Sequence, residues 1–126
     1  MPDGGAARAN PQAGQRAISL LTVCRRAGKL LLGFDAVKEA AQRGQVACVI
    51  LAADASPKTE KEIRFYAKET PVRRFPAELD MITLTRWFRK KTAVFGVCDG
   101  GFAAKLLQIL PEDAAAPDES LRSTEM

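Results

Sequence analysis

Two stretches limit what this chain can fold into more than any others. "VACVILA" at Val46–Ala52 and "TAVFGVC" at Thr92–Cys98 are nearly unbroken apolar runs of strand length. A strand with one wet face alternates polar and apolar residues, whereas a strand without alternation is covered on both faces. The runs therefore predict two central strands held between layers of helix. Around them, Ala17, Leu20, Leu21 and Cys24 recur at helical spacing, widened by Ile18 and Ala27, until Gly28 ends the pattern. Leu30–Leu32 reads as a short strand. Val37, Ala40, Ala41 and Gly44 mark one face of a second helix. Ser56 is an N-cap with Pro57 at the first helical position and Glu60 in the first turn, and Ile63, Tyr66 and Ala67 give that third helix its buried side. Pro71 breaks it, and "VRRF" is an edge-strand candidate. Leu79, Ile82 and Thr83 suggest a shorter fourth helix, and Asp99 caps a last one carrying Phe102, Leu106, Ile109 and Leu110. Strands alternating with helices make this an α/β layered fold.

A length of 126 residues sets one domain as the expectation. Residues 1–15 are rich in Gly, Ala, Pro and Asn and lack an apolar period, so they read as a disordered leader or linker. From Pro111 the chain turns to Ala, Pro and acid, which reads as a disordered acidic tail over 111–126 and leaves 16–110 as the domain. No apolar run is long enough for a transmembrane helix, and no signal-peptide pattern opens the chain. Cys24, Cys48 and Cys98 are odd in number and lie in apolar surroundings, which points to reduced core thiols and a cytoplasmic setting. With no histidine and no CxxC pair, no metal site is expected.

Net charge is +4, but residues 16–110 keep 17 of the 19 basic residues and 9 of the 15 acids, about +8. Such a balance suits a nucleic-acid partner; the structural alternative is a solvated basic surface. Catalysis finds little support. Asp54 ends a central strand without partner acids, "CDGGF" lacks the spacing of a dinucleotide fingerprint and the lysine of a phosphate loop, and Cys98 has no activating base. No cofactor is implied. Binding fits better. "CRRAGK" sets Arg25, Arg26 and Lys29 at a helix end, where the helix dipole also favours cations. "RWFRKK" surrounds Trp87 and Phe88 with Arg86, Arg89, Lys90 and Lys91, so that aromatics can stack on bases while cations meet phosphates. Its structural alternative puts Trp87 in the core.

Over "RRAGKLLLGFDAVKEAAQRGQVACVILAADASPKTEKEI" and "VCDGGFAAKLL" the chain resembles the ribosomal-protein family of kink-turn RNA binders, related to the archaeal seventh and eukaryal thirtieth large-subunit proteins. The likeness spans Ala17–Leu110. It implies a three-layer α/β/α sandwich with a mixed four-stranded sheet, and RNA binding without catalysis. Carried over by position, the implied surface is Gly28, Lys29, Gly33, Phe34, Asp35, Ala36 and Val37, completed by Phe88, Arg89, Lys90, Lys91 and Thr92. Kink-turn binders typically carry G-x-N-E-x-x-K. Here the run is Gly33, Phe34, Asp35, Ala36, Val37, Lys38 and Glu39, with Lys38 beside a position that has become acidic. Some bacterial members follow another nucleic-acid-binding domain in one polypeptide, which would make residues 1–15 a linker.

The expectation is a cytoplasmic, non-catalytic domain for structured RNA, ribosomal RNA included, within a larger polypeptide or ribonucleoprotein. Phosphates would meet Arg25, Arg26, Lys29, Arg89, Lys90 and Lys91, and a base would meet Trp87 or Phe88. The alternatives are a protein-interaction module of the same fold and a detached substrate-recognition domain of an RNA methyltransferase.

Overall fold

Five helices and four strands alternate along residues 12–110, the part of the chain that the computed structural model describes. In chain order they are α1 (Gln12–Arg26), β1 (Leu30–Leu32), α2 (Phe34–Gln42), β2 (Cys48–Leu51), α3 (Pro57–Tyr66), β3 (Val72–Arg74), α4 (Met81–Phe88), β4 (Val94–Val97) and α5 (Gly100–Ile109). The sheet order is β1-β4-β2-β3. β4 runs antiparallel to both neighbours, with Val49 opposite Gly96 and Leu31 opposite Gly96 on the other side. β2 and β3 are parallel, with Val49 opposite Val72.

The two apolar runs are the two inner strands, and the pleat explains their composition. Successive side chains point to opposite faces. Cys48, Ile50, Phe95 and Val97 join one core with Leu21, Leu84 and Leu106, residues of α1, α4 and α5. Val49, Leu51 and Val94 join the other with Val37 and Ile63 of α2 and α3. The result is a three-layer α/β/α sandwich on a mixed four-stranded sheet. Aromatic packing stiffens the first core: the Phe95 ring meets Phe88 at 5.0 Å and Phe75 edge-on at 5.7 Å. None of the described helices is long and apolar enough to cross a membrane.

Three caps set the registers of the helices. The side chains of Ser56, Asp80 and Asp99 accept hydrogen bonds from the N–H groups of Thr59, Thr83 and Phe102. The Thr83 N–H holds the Asp80 carboxyl below its usual range. A second acceptor, Asp54 Oδ1, takes the Met81 N–H at 2.9 Å. The Asp80 cap fixes the start of α4 at Met81, so the buried i,i+4 pair is Leu84–Phe88. Ile82, expected on the buried face, is 63% exposed. Trp87 and Phe88 therefore belong to a helix, and the loop begins at Arg89. α1 also starts earlier than the composition suggests. Ala13 and Gly14 are buried, and a Cβ on Gly14 would meet Leu79 Cδ1 at 2.6 Å. The last four residues of the expected leader thus pack as helix. Residues 1–11 and the acidic stretch 111–126 lie outside the described residues.

One contact seats α2 on the sheet. Gly96 lies mid-strand in β4, facing α2, and a Cβ there would stand 2.9 Å from Val37 Cγ2. Without that Cβ, the buried Val37 side chain rests directly on the strand backbone. Gly96→Ala should lower the unfolding free energy by about 1–3 kcal/mol through overpacking. Adding Val37→Ala should restore part of the loss, because it vacates the same space. Denaturant unfolding of the single and double variants measures this, and strictly additive losses would show that the two residues do not share the contact.

Candidate nucleic-acid interface

The N-terminus of α2 is open by construction. Its N-cap is Gly33, with φ 106° and ψ 152°, a conformation that L side chains rarely adopt. The Gly33 N–H donates to Val94 O at 2.9 Å, and its carbonyl accepts from Val37 N at 3.1 Å. Because glycine has no side chain, nothing from the cap residue occupies the first turn. Helix geometry leaves the N–H groups of Phe34, Asp35 and Ala36 without intrahelical acceptors, at the positive end of the helix dipole. That combination receives anions. Asp35 lies in the first turn rather than at the cap, exposed like Ala36.

The second part of the surface is the loop after α4. Arg89 takes a left-handed conformation, φ 61° and ψ 19°, and its N–H closes the helix on Thr85 O at 2.9 Å. Among the described residues it is the one non-glycine with positive φ. Lys90 and Lys91 follow, both exposed. Lys90 Nζ lies 3.9 Å from the point where a Cβ on Gly33 would stand. The basic loop and the open helix end therefore form one surface. The end of α1 joins them: Arg25 Nη1 donates to Phe88 O at 2.9 Å, which ties it to the C-terminal carbonyl of α4. Gly28 ends α1 through paired bonds, Gly28 N to Arg25 O and Lys29 N to Cys24 O. The Lys29 carbonyl accepts from Cys98 N, which fixes the lysine backbone and leaves its side chain exposed. Arg26 is exposed at the same helix end.

The structure thus brings together Arg25, Gly33, Phe34, Asp35, Ala36, Arg89 and Lys90, with Lys91 next in the loop. Other expected residues sit elsewhere. Phe88 is 0% exposed and packs on Phe95, so it stacks on no base. Trp87 is half-buried against the core of α1, α4 and α5. The Val37 side chain fills the notch at Gly96. Thr92 is buried, and its Oγ1 donates to Lys90 O at 3.1 Å, which shapes the loop from within. Lys38 sits over Tyr66, with Nζ 4.6 Å from the ring centroid. Glu39 pairs with Arg43 at 3.2 Å, so its charge is partly met within α2. Arg74, on the edge strand, is occupied by the carbonyls of Ala52, Ala53 and Ala55 and by Glu60.

Burial pushes the Cys24 thiol up to about 11 and Cys48 to about 12, and it raises Cys98 as well. All three stay protonated near neutrality and behave as small core-lining groups. Residues beside the surface that spacing alone did not single out are Phe65, Tyr66 and Lys68. Helical periodicity assigned Tyr66 to the buried face of α3; it is half-buried and faces Phe34 across the α2–α3 seam. The available signal was the adjacent Phe65-Tyr66 pair followed by a lysine.

Residues 15–106 match the model of the ribosomal protein L7Ae/L30e/S12e/Gadd45 family. The chain is 30% identical over 98 residues to the RNA-binding protein YlxQ of Enterococcus faecium, covering 76% of this chain and 92% of that protein. A Bacillus halodurans protein of unknown function superposes with a TM-score of 0.66 at 35% identity, over 74% of this chain and 94% of that one. The 15.5 kD RNA-binding protein of Giardia lamblia shares the fold, with a TM-score of 0.63 at 18% identity, over 80% and 92%.

The left-handed Arg89 carries a stability prediction. A side chain in that region costs about 1 kcal/mol relative to glycine. Arg89→Gly should therefore unfold at higher denaturant concentration than Arg89→Ala by about that free energy. Equal stabilities would show that the conformation is unstrained.

Proposed function

The chain belongs to the ribosomal protein L7Ae/L30e/S12e/Gadd45 family, and from that premise we propose that it binds structured RNA, ribosomal RNA included, as a partner within a ribonucleoprotein and without catalysing a reaction. One observation carries the reading: Lys90 Nζ stands 3.9 Å from the Cβ position of Gly33, which supports a single ligand meeting both the cationic loop and the free N–H groups of α2. Lysine and arginine side chains meet phosphates as charges, while the helix end offers directed donors to a phosphate or a base edge. Arg89 supports the reading independently. Glycine would occupy its left-handed position with less strain, so an arginine there argues for use of its side chain. The likeness to YlxQ, an RNA-binding protein, agrees.

The site differs from the G-x-N-E-x-x-K pattern in its polar groups. At the three departing positions stand Asp35, Ala36 and Glu39, two of them acids and none an amide or a cation. Recognition then rests on backbone N–H groups and on Arg25, Arg26, Lys29, Arg89, Lys90 and Lys91, which read shape and charge more than base identity. Unbonded Cys24, Cys48 and Cys98 suit a reducing compartment, and the proposal places the protein in the cytoplasm.

Each phosphate contact contributes about 0.7–0.9 to the slope of log affinity against log salt. Combining Arg89→Gly, Lys90→Ala and Lys91→Ala should weaken binding of a hairpin RNA and flatten that slope by about 2–3. Fluorescence anisotropy at several salt concentrations reads both quantities. A folded variant with unchanged affinity and slope would remove the loop from the interface.

A further inference from the structure

The α2–α3 seam carries an aromatic row of which the surface described so far uses only Phe34. Phe34, the first residue of α2, meets Tyr66 edge-on at 6.4 Å, and Tyr66 meets Phe65 edge-on at 5.2 Å. Lys38 Nζ lies 4.6 Å from the Tyr66 ring centroid, and Lys68 Nζ lies 5.0 Å from that of Phe65. Phe65 is 61% exposed, while Ile63 and Ala67 supply the buried face of α3. Beside Phe65 and Tyr66 opens a recess of about 440 Å³, bordered also by Ala41, Gln42, Thr70 and one acid, Glu69.

We infer that the Phe34–Tyr66–Phe65 row, with Lys38 and Lys68, is a stacking platform for unpaired nucleotides that flank the structured RNA held at the Gly33 turn. The inference rests on the proposed RNA-binding function and extends it. Two features favour an RNA strand over an apolar partner. The row begins at Phe34, inside the proposed interface, so a strand leaving that interface meets Tyr66 and then Phe65. Its rings are accompanied by two ammonium groups, and alternating aromatic and cationic groups are the pattern that holds bases and phosphates of a single strand.

The test compares a bare hairpin RNA with the same hairpin carrying a single-stranded flank of roughly six nucleotides on its 5′ or its 3′ end. Full-length protein is titrated with each by fluorescence anisotropy. One of the two flanks should raise affinity about tenfold. Phe65→Ala and Lys68→Ala should each reduce that gain, and their combination should abolish it, with bare-hairpin affinity unchanged. Phe65→Trp should keep the gain, since a larger ring still stacks. Circular dichroism shows whether each variant is folded, as expected for exposed positions. The inference is overturned if neither flank helps the natural chain, or if folded Phe65→Ala keeps the full gain. The latter would leave the row to a protein partner. Failure of the bare hairpin and both flanked RNAs to bind would overturn the proposed function along with its extension.

Discussion

The seating of Val37 on Gly96 is the contact on which the rest of the surface depends. Its Cγ atoms occupy space that any side chain at position 96 would fill. That lets α2 approach the middle of the sheet, against the strand whose Val94 carbonyl also receives the Gly33 N–H. One strand thus holds the turn by a hydrogen bond and the helix by a close steric fit. The Gly33 conformation is held at both ends: N–H on the sheet, carbonyl on Val37 N. An open helix terminus is ordinarily a liability, with several unsatisfied donors. Here it is held rigid and turned outward.

The charges around this terminus are arranged by structure rather than scattered. Arg25 binds the Phe88 carbonyl at the end of α4, Arg89 closes that helix, and Lys90 reaches the Gly33 turn. A helix dipole alone contributes about 0.3–1 kcal/mol to an exposed charge. Several phosphate contacts together outweigh it, and their sum is what salt screens. Under the proposed function, the dipole and N–H groups set where a phosphate or base edge sits, and the cations supply most of the attraction. The acid Glu39 on the same helix is partly answered by Arg43. Asp35 stays exposed in the first turn of α2, where the dipole tolerates it.

Much of the fold was legible in the sequence because it rests on strong local signals. The runs at Val46–Ala52 and Thr92–Cys98 became β2 and β4, and Ser56 and Asp99 cap the helices that follow them. Signals failed where tertiary contacts overrule composition. Gln12–Gln15 looks like linker, yet Gly14 packs on Leu79 as helix. "RWFRKK" looks like one basic aromatic loop, yet Asp80 sets α4 in a register that buries Phe88 and exposes Ile82. Positional carry-over named the Gly33 turn and the Arg89–Lys91 loop, which lie side by side in the fold, but it cannot separate a side chain facing out from one facing in. Val37 and Thr92 face in. The α3 part of the aromatic row, Tyr66 and Phe65, lay outside the carried-over positions, because the row forms only when Phe34 and Tyr66 meet across the seam between two helices.

The central claim is that the α2 terminus and the basic loop act as one RNA-binding surface. An amide-resolved NMR titration of the isotope-labelled protein with a hairpin RNA tests it most directly. The account predicts that the largest shift changes fall on Phe34, Asp35 and Ala36 together with Arg89, Lys90 and Lys91, moving in step along one binding curve. Changes concentrated instead on the groove between α1 and α5, around Ser19, Val23 and Gln108, with the Gly33 turn silent, would contradict it.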